Sequence, residues 1–214
     1  MGSPSSFMPG PKHGGHYDLA RLAISVLRKP ESFQIKARNE NQLEIYLVGL
    51  LKRRRALSPH IIDQIKTNPD KRISRVPAFG FDHGPDIAID PNGTAIEVKL
   101  VRSAHDLRTG ISQALVYRLG YRFAIMVLGD WTEHGVLVKS LLEKNSKGAE
   151  LLRYLCDEHN VFTVIGPVAP DKPNLVFVSE RSMEAGGKGE EPTTDQVTET
   201  SFPPSQAPSP TTIG

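Results

Sequence analysis

The feature that most constrains the fold is a pair of alternating segments around an Asn-Gly dipeptide, in the stretch GPDIAIDPNGTAIEVKL at residues 84–100. Apolar side chains occupy every second position on both sides of Asn92-Gly93, a pattern typical of half-buried strands. Asn-Gly favours the type I′ turn of a two-residue hairpin loop, because both positions of that turn need a positive φ. The stretch therefore predicts two antiparallel strands, DIAID and TAIEVKLV.

The two-residue loop also predicts which side chains face each other across the hairpin. The predicted cross-strand pairs are Asp86 with Lys99 and Ala88 with Glu97. Side chains alternate between the two faces of a strand, so these residues share one face. The opposite face belongs to the core, and it consists of Ile87, Ile89, Ile96, Val98 and Leu100. Two carboxylates and an ammonium group therefore converge on one patch of the hairpin.

Apolar patterns elsewhere predict the elements that surround this hairpin. Apolar residues at three- and four-residue spacing indicate helices at residues 18–29, 39–55, 105–121 and 148–159. RFAIMVLGD, at residues 122–130, is a nearly continuous apolar run of the kind found in a strand covered on both faces. VFTVIG and NLVFVS, further along the chain, are candidate closing strands.

Two segments before the hairpin carry weaker signals. Ser58-Pro59 matches the N-cap and first position of a helix, so SPHIIDQIKTN at residues 58–68 is predicted as a short helix. KRISRVPAFGF, at residues 71–81, is predicted as an edge or irregular strand, because Pro77 lacks the N–H that a central ladder needs. The complete order of elements predicts an α/β fold with a mixed central β-sheet flanked by helices.

The charge of the chain is unevenly distributed, and its ends differ from its middle. Residues 182–214 carry five acids and one lysine, which gives them a charge of −4. Because the net charge of the whole chain is +2, residues 1–181 carry +6, which is compatible with a nucleic-acid partner.

Residues 1–16 and 182–214 are predicted to be disordered tails around one domain at residues 17–181. No apolar run approaches the roughly 20 residues that span a bilayer, so a cytoplasmic protein with no membrane partner is predicted.

The charged patch on the hairpin suits a divalent metal ion. Mg²⁺, or the similar Mn²⁺, prefers oxygen ligands and is usually held by one or two carboxylates with water and substrate phosphate. Asp86 and Glu97 supply such carboxylates, and Lys99 on the same face can stabilise negative charge that develops during a reaction. The alternative is an ordinary ion pair between Asp86 and Lys99, with Glu97 in solvent.

Residues on the neighbouring predicted helices extend this patch. Glu44 lies on the apolar stripe of residues 39–55 and can reach the patch as a further metal ligand, with Glu40 one turn earlier as its competitor. Gln113 and Tyr117 are four residues apart and share one face of a later helix. Four cations at the end of the earlier helix either bind a DNA backbone or complement the helix dipole, and these are Lys52, Arg53, Arg54 and Arg55.

Pro85-Asp86, a gap of ten residues and Glu97-Val98-Lys99 together resemble the signature of the PD-(D/E)xK phosphodiesterase family. Gln113-x-x-x-Tyr117 is similar to an additional motif of RecB-type repair nucleases in that family. The resemblance covers residues 40–130. It implies a restriction-endonuclease-like αβββαβ core, with a mixed central β-sheet flanked by helices.

The same resemblance implies a metal-dependent deoxyribonuclease that hydrolyses DNA phosphodiester bonds in repair, restriction or defence against foreign DNA. The implied ligands of Mg²⁺ or Mn²⁺ are Asp86, Glu97, the carbonyl of Val98 and Glu44. Lys99 would be the catalytic base or charge stabiliser, while Gln113 and Tyr117 would orient the substrate or the lysine. DNA is the implied partner, with a specificity-giving protein and a homodimer as further options. The alternative is a catalytically silent module of this fold that binds nucleic acid or a partner protein.

Overall fold

The computed structural model describes residues 12–63, 73–168 and 174–180. Its strands, in chain order, are β1 (Ile61–Asp63), β2 (Val76–Ala78), β3 (Phe81–His83), β4 (Ile87–Ile89), β5 (Thr94–Val101), β6 (Phe123–Asp130), β7 (Val161–Pro167) and β8 (Phe177–Val178). Its α-helices are α1 (Gly15–Leu27), α2 (Glu40–Lys52), α3 (Ala104–Tyr117), α4 (Val136–Leu142) and α5 (Lys147–His159). Short 3₁₀ turns lie at Pro30–Phe33, Ser58–His60 and Glu133–Gly135.

Six of the described strands form one mixed sheet, in the order β1-β4-β5-β6-β7-β8. The strands β5, β6 and β7 are parallel, whereas β1, β4 and β8 pair antiparallel with their neighbours. All residues of β6 and β7 are buried, as a continuous apolar run predicts for strands covered on both faces. The predicted α/β class with a mixed central sheet flanked by helices is therefore confirmed.

Alternate residues of β6 pack against different helices. Phe123, Ile125 and Val127 belong to a cluster with the apolar faces of α1 and α2. The residues between them, Ala124, Met126 and Leu128, belong to a second cluster with side chains of α3, α4 and α5. The period of two in the strand thus distributes the helices to both sides of the sheet.

The hairpin of β4 and β5 forms, but its predicted register is wrong. The observed pairs are Ile87 with Ile96, Ala88 with Ala95 and Ile89 with Thr94. The predicted pairs of Asp86 with Lys99 and of Ala88 with Glu97 are therefore displaced by two residues. Because side chains alternate with a period of two, an even displacement leaves every side chain on its predicted face. The isoleucines pack in the main core, while Ala88 and Ala95 lie in a cluster on the other side with Tyr117.

The register differs because the loop contains four residues, Asp90 to Gly93. A two-residue loop would make Pro91 its closing residue, and proline has no N–H to donate across the ladder. Instead, Asp90 adopts a positive φ of 60°, and its carbonyl accepts a hydrogen bond from the N–H of Gly93 at 3.4 Å. A Cβ on Gly93 would lie 2.5 Å from the carbonyl oxygen of Ile89, so glycine is needed here for close approach.

The two consecutive positive φ angles that a type I′ turn needs occur in a different hairpin. Phe79 has a φ of 53° and Gly80 a φ of 82°, at the turn between β2 and β3. These two strands form a separate antiparallel pair, so the single irregular strand predicted at residues 71–81 is in fact a hairpin that continues to His83. Residues 71 and 72 lie outside the described residues.

The short helix predicted at residues 58–68 is also wrong where the structure describes it. Ser58–His60 form one 3₁₀ turn, and the chain then enters β1, which pairs with β4. Ile61 and Ile62 are both buried there, so pairing with the sheet overrides the helix signal of Ser58-Pro59. Residues 64–68 lie outside the described residues.

The remaining boundaries shift by a few residues. The helix α1 begins at Gly15, two residues before the predicted start of the domain, and α4 was not predicted. Residues 1–11 of the predicted N-terminal tail and all of residues 182–214 lie outside the described residues. None of the helices in the described ranges combines the length and the hydrophobicity needed to cross a bilayer.

Close packing on β7 leads to a stability prediction. A Cβ on Gly166 would lie 2.3 Å from Cδ2 of Phe33, a buried ring. We expect Gly166→Ala to lower the free energy of unfolding by about 1–3 kcal/mol, because the ring must shift in a packed core. A Cβ on Gly49 of α2 would meet no neighbouring atom within 4 Å, so Gly49→Ala should instead raise that free energy by about 0.5–1 kcal/mol. Urea unfolding measures both, and a neutral Gly166→Ala would contradict the packing argument.

Candidate functional site

The structure brings Asp86 next to the middle of β5. Asp86 precedes β4, and its Oδ2 accepts a hydrogen bond from the N–H of Val98 at 2.7 Å. Burial, and then the negative charge of Glu97, raise the pKa of Asp86 to about 7, although the hydrogen bond from Val98 opposes this shift. The charge of Glu44 raises this pKa further. Three carboxylates thus influence one another at this end of the hairpin.

Glu97 is the most deeply buried of these acids, with 2% of its surface exposed. Its Oε1 lies 2.9 Å from Nζ of Lys99, and its Oε2 accepts a hydrogen bond from the hydroxyl of Tyr117 at 2.7 Å. The alternative arrangement, in which Glu97 is in solvent and Asp86 alone pairs with Lys99, is therefore wrong. The buried glutamate instead joins β5 to α3.

Lys99 lies between two glutamates. Besides its contact with Glu97, its Nζ lies 3.4 Å from Oε2 of Glu40, and the side chain is only 16% exposed. Burial by itself would lower the pKa of Lys99, but the charge and hydrogen bond of Glu97, with the charges of Glu40 and Asp86, raise it overall. The side chain is therefore an ammonium ion at neutral pH, which suits it to stabilising negative charge and not to accepting a proton.

The helix α2 contributes two acids with different surroundings. Glu40, in the first turn, contacts Lys99 and also accepts a hydrogen bond from the N–H of Leu100 at 3.4 Å. Glu44, one turn later, has a buried Oε1 with no hydrogen-bond partner among the described residues. Burial, and then the charges of Asp63 and Glu97, raise the pKa of Glu44. Glu40 is thus the lysine partner, whereas Glu44 retains an unused oxygen.

The two residues predicted to share a face of α3, Gln113 and Tyr117, also have different surroundings. Tyr117 donates to Glu97 and also lies 3.1 Å from the carbonyl oxygen of Gly84, so it connects α3 to β5 and to the segment between β3 and β4. Burial, and then the charge of Glu97, raise the pKa of Tyr117, which keeps its hydroxyl protonated. Gln113 lies one turn earlier on α3, and its Oε1 is buried without a hydrogen-bond partner in the described residues.

The oxygen donors in this region can be compared with what a metal ion needs. No group of three or more His, Cys, Asp and Glu side chains in the described ranges has the arrangement of a metal site. Mg²⁺ commonly uses one or two carboxylates and completes its shell with water. Asp86 and Glu97 meet that smaller requirement, and the unpartnered oxygen of Glu44 adds a third hard donor nearby. Burial and then repulsion raise the pKa of Asp86, and a cation here would also offset the repulsion.

The cationic run of residues 52–55 at the end of α2 does not act as one unit. Nζ of Lys52 lies 2.5 Å from Oδ2 of Asp63, a buried acid on β1, so this lysine neutralises a charge within the fold. Arg53, Arg54 and Arg55 follow the end of the helix and are exposed. These three arginines remain the predicted contact with a nucleic-acid backbone.

One acid of this region was missed in the sequence. Asp63 lies close enough to Glu44 to raise its pKa, yet residues 58–68 were predicted as a helix. The available signal was the pair Ile61-Ile62 directly before an acid, a β-branched pair that favours a strand.

Comparison of this chain with known protein families, curated proteins and solved structures found no match.

Proposed function

We propose that the chain is a Mg²⁺- or Mn²⁺-dependent deoxyribonuclease of the PD-(D/E)xK type, which hydrolyses DNA phosphodiester bonds in repair, restriction or defence. The observation that carries the proposal is the convergence of the buried Glu97 with the half-buried Asp86 and Lys99 on one patch. Burying like charges together destabilises a fold, and strongly shifted pKa values of this kind are concentrated at functional sites.

The order of elements supports the same proposal. The helix α2 is followed by β1, β4 and β5 of the sheet, then by α3 and β6. This is the αβββαβ order that the restriction-endonuclease-like fold has, with the β2–β3 hairpin as an insertion. Asp86 lies directly before β4, the second strand of that order, and Glu97 and Lys99 lie on β5, the third strand. The family signature requires this arrangement.

Each residue of the site has a task in such a reaction. A bound divalent ion would polarise the phosphodiester and lower the pKa of an attacking water. Asp86 and Glu97 would hold it, with the Val98 carbonyl and Glu44 as further donors. Lys99 would stabilise the negative charge that develops on the phosphate. Tyr117 orients Glu97 through its hydrogen bond, and Glu40 holds the ammonium group of Lys99 in place.

A second candidate function is a silent module that binds DNA or a partner protein without cutting. The observation in its favour is that both oxygens of Glu97 are already engaged, by Lys99 and by Tyr117. A carboxylate oxygen needs an available lone pair to bind a metal ion. In a silent module, the contacts of Glu97 with Lys99 and Tyr117 would persist and would take the place of a metal ion. Binding that depends on salt but not on a divalent ion would characterise this function.

Cleavage assays with two readouts test the proposal. We expect the wild-type protein to cut plasmid, linear, single-stranded or branched DNA with Mg²⁺ or Mn²⁺ but not with EDTA, and Glu97→Gln to lose this activity about a hundredfold or more. Without DNA, Mn²⁺ should raise the thermal midpoint of the wild type, since a ligand of the folded state stabilises it, and should not do so for Glu97→Gln. If no substrate is cleaved and Mn²⁺ does not change the thermal midpoint of the wild type, the nuclease proposal is wrong and the silent module is favoured.

A further inference from the structure

The hairpin of β2 and β3 exposes two phenylalanines at its tip. Phe79 is 84% exposed and Phe81 is 72% exposed, more than any other large hydrophobic side chain of the described residues. Phe81 is paired with Ala78 at the end of the ladder, and Phe79 occupies the turn. Neither ring contributes to the core, although burial is what normally stabilises a large aromatic side chain.

The backbone at Phe79 makes the exposure more notable. Its φ of 53° is in the left-handed region, where glycine and asparagine are favoured and bulky residues are outliers. Local strain of this kind occurs preferentially at ligand-binding positions. The ring of Phe79 therefore stabilises neither the turn nor the core. Contact with a ligand outside the chain would explain its position.

The hairpin is physically tied to the candidate site. The chain runs from His83, at the end of β3, through Gly84 and Pro85 to Asp86. The carbonyl oxygen of Gly84 lies 3.1 Å from the hydroxyl of Tyr117, which also contacts Glu97. The base of the hairpin is therefore attached to the tyrosine that contacts Glu97, and Asp86 follows three residues after the end of β3.

We infer that Phe79 and Phe81 stack on unpaired bases of DNA, so that the preferred substrate contains a single-stranded segment; this inference rests on the proposed nuclease function. Single-stranded nucleic acid is bound by aromatic side chains that stack on its bases beside positive charges that track its backbone. Residues Pro77 to Asp82 form the surface around the two rings, and this surface is open to solvent. Arg75 is exposed immediately before β2, and Asp82 is the one acid of the hairpin itself. Residues 1–181 carry a charge of +6, which is complementary to phosphates. In duplex DNA the faces of the bases are already occupied by neighbouring bases.

The test measures binding apart from cleavage. Fluorescence anisotropy in EDTA would give the affinity of the protein for a labelled single-stranded oligonucleotide, for a forked duplex and for a blunt duplex. Phe79→Asn removes one ring and suits the positive φ of the turn, and Phe81→Thr removes the other with a residue that suits an exposed strand. We expect the double variant to lose about tenfold to a hundredfold in affinity for the single strand and the fork, and less than threefold for the blunt duplex.

Two controls make the result decisive. Leu151→Ala removes a half-exposed apolar side chain on α5 and should leave all three affinities unchanged. Phe79→Asn alone should keep or raise the thermal midpoint while it weakens single-strand binding, a combination that a purely structural role would not produce. Wild-type affinity in the double variant, an equal loss on all three DNAs, or no DNA binding by the wild type would overturn the inference. Cleavage by the wild type with Mg²⁺ is scored separately, so failure of the nuclease proposal would be distinguished from failure of the stacking surface.

Discussion

Lys99→Met is expected to reduce the proposed metal-dependent DNA cleavage about a hundredfold to a thousandfold, the range observed when a charge-stabilising donor is removed from an active site. The ammonium group of Lys99 is held between Glu97 and Glu40 and has a raised pKa, so it is positively charged throughout the neutral range. Methionine retains an unbranched stem that can pack beside Gly110 but carries no charge. The loss should appear in the rate of the chemical step and not in DNA affinity.

Two further variants distinguish the role of this charge. Lys99→Arg keeps a cation and should retain more activity than Lys99→Met; equal inactivity of the two would show that a positive charge alone is not sufficient at this position. Lys139→Met removes an exposed lysine on α4 and should leave cleavage unchanged. Single-turnover rates and DNA affinities provide the measurements. A Lys99→Met protein that is folded and cleaves at the wild-type rate would contradict the assignment of Lys99.

Asp86→Asn is expected to stabilise the protein at pH 8 and to have little effect at pH 4. The folded state raises the pKa of Asp86 to about 7, whereas an aspartate in an unfolded chain has a pKa of about 3.9. Between these values the folded protein binds more protons than the unfolded chain, so its stability falls as the pH rises through this window. Asparagine removes this loss and can still accept the hydrogen bond from Val98. The gain at pH 8 should be on the order of 2–4 kcal/mol.

Urea unfolding at pH 4, 6 and 8 measures this effect directly. Asp106 provides a control of opposite sign, because hydrogen bonds, first of all from the N–H of Arg102 and then from Ser103, lower its pKa. Asp106→Asn should therefore weaken the protein at pH 8. The Asp86 prediction fails if Asp86→Asn is less stable than the wild type at pH 8, or if its gain is the same at pH 4. Saturating Mg²⁺ should reduce the pH dependence of the wild type, because a bound cation favours the ionised carboxylate.

Much of this site was predictable because its signals are local. The alternation in residues 84–100 assigned each side chain to a face, and the faces are correct even though the register is displaced by two residues. The four-residue spacing of Gln113 and Tyr117 placed both on α3, and Tyr117 does contact Glu97. A period of two or of 3.6 residues is a property of the backbone, so it can be read without knowledge of distant contacts.

Local sequence patterns were therefore enough to predict the α/β class, the main helices, and the acids and the lysine that share one face of the hairpin. Tertiary packing alone produced the strand β1 in place of a helix and the contact of Lys99 with Glu40. These features depend on residues far apart in the chain, such as the 59 positions that separate Glu40 from Lys99. Burial and charge at such contacts arise from packing, and no local pattern encodes them.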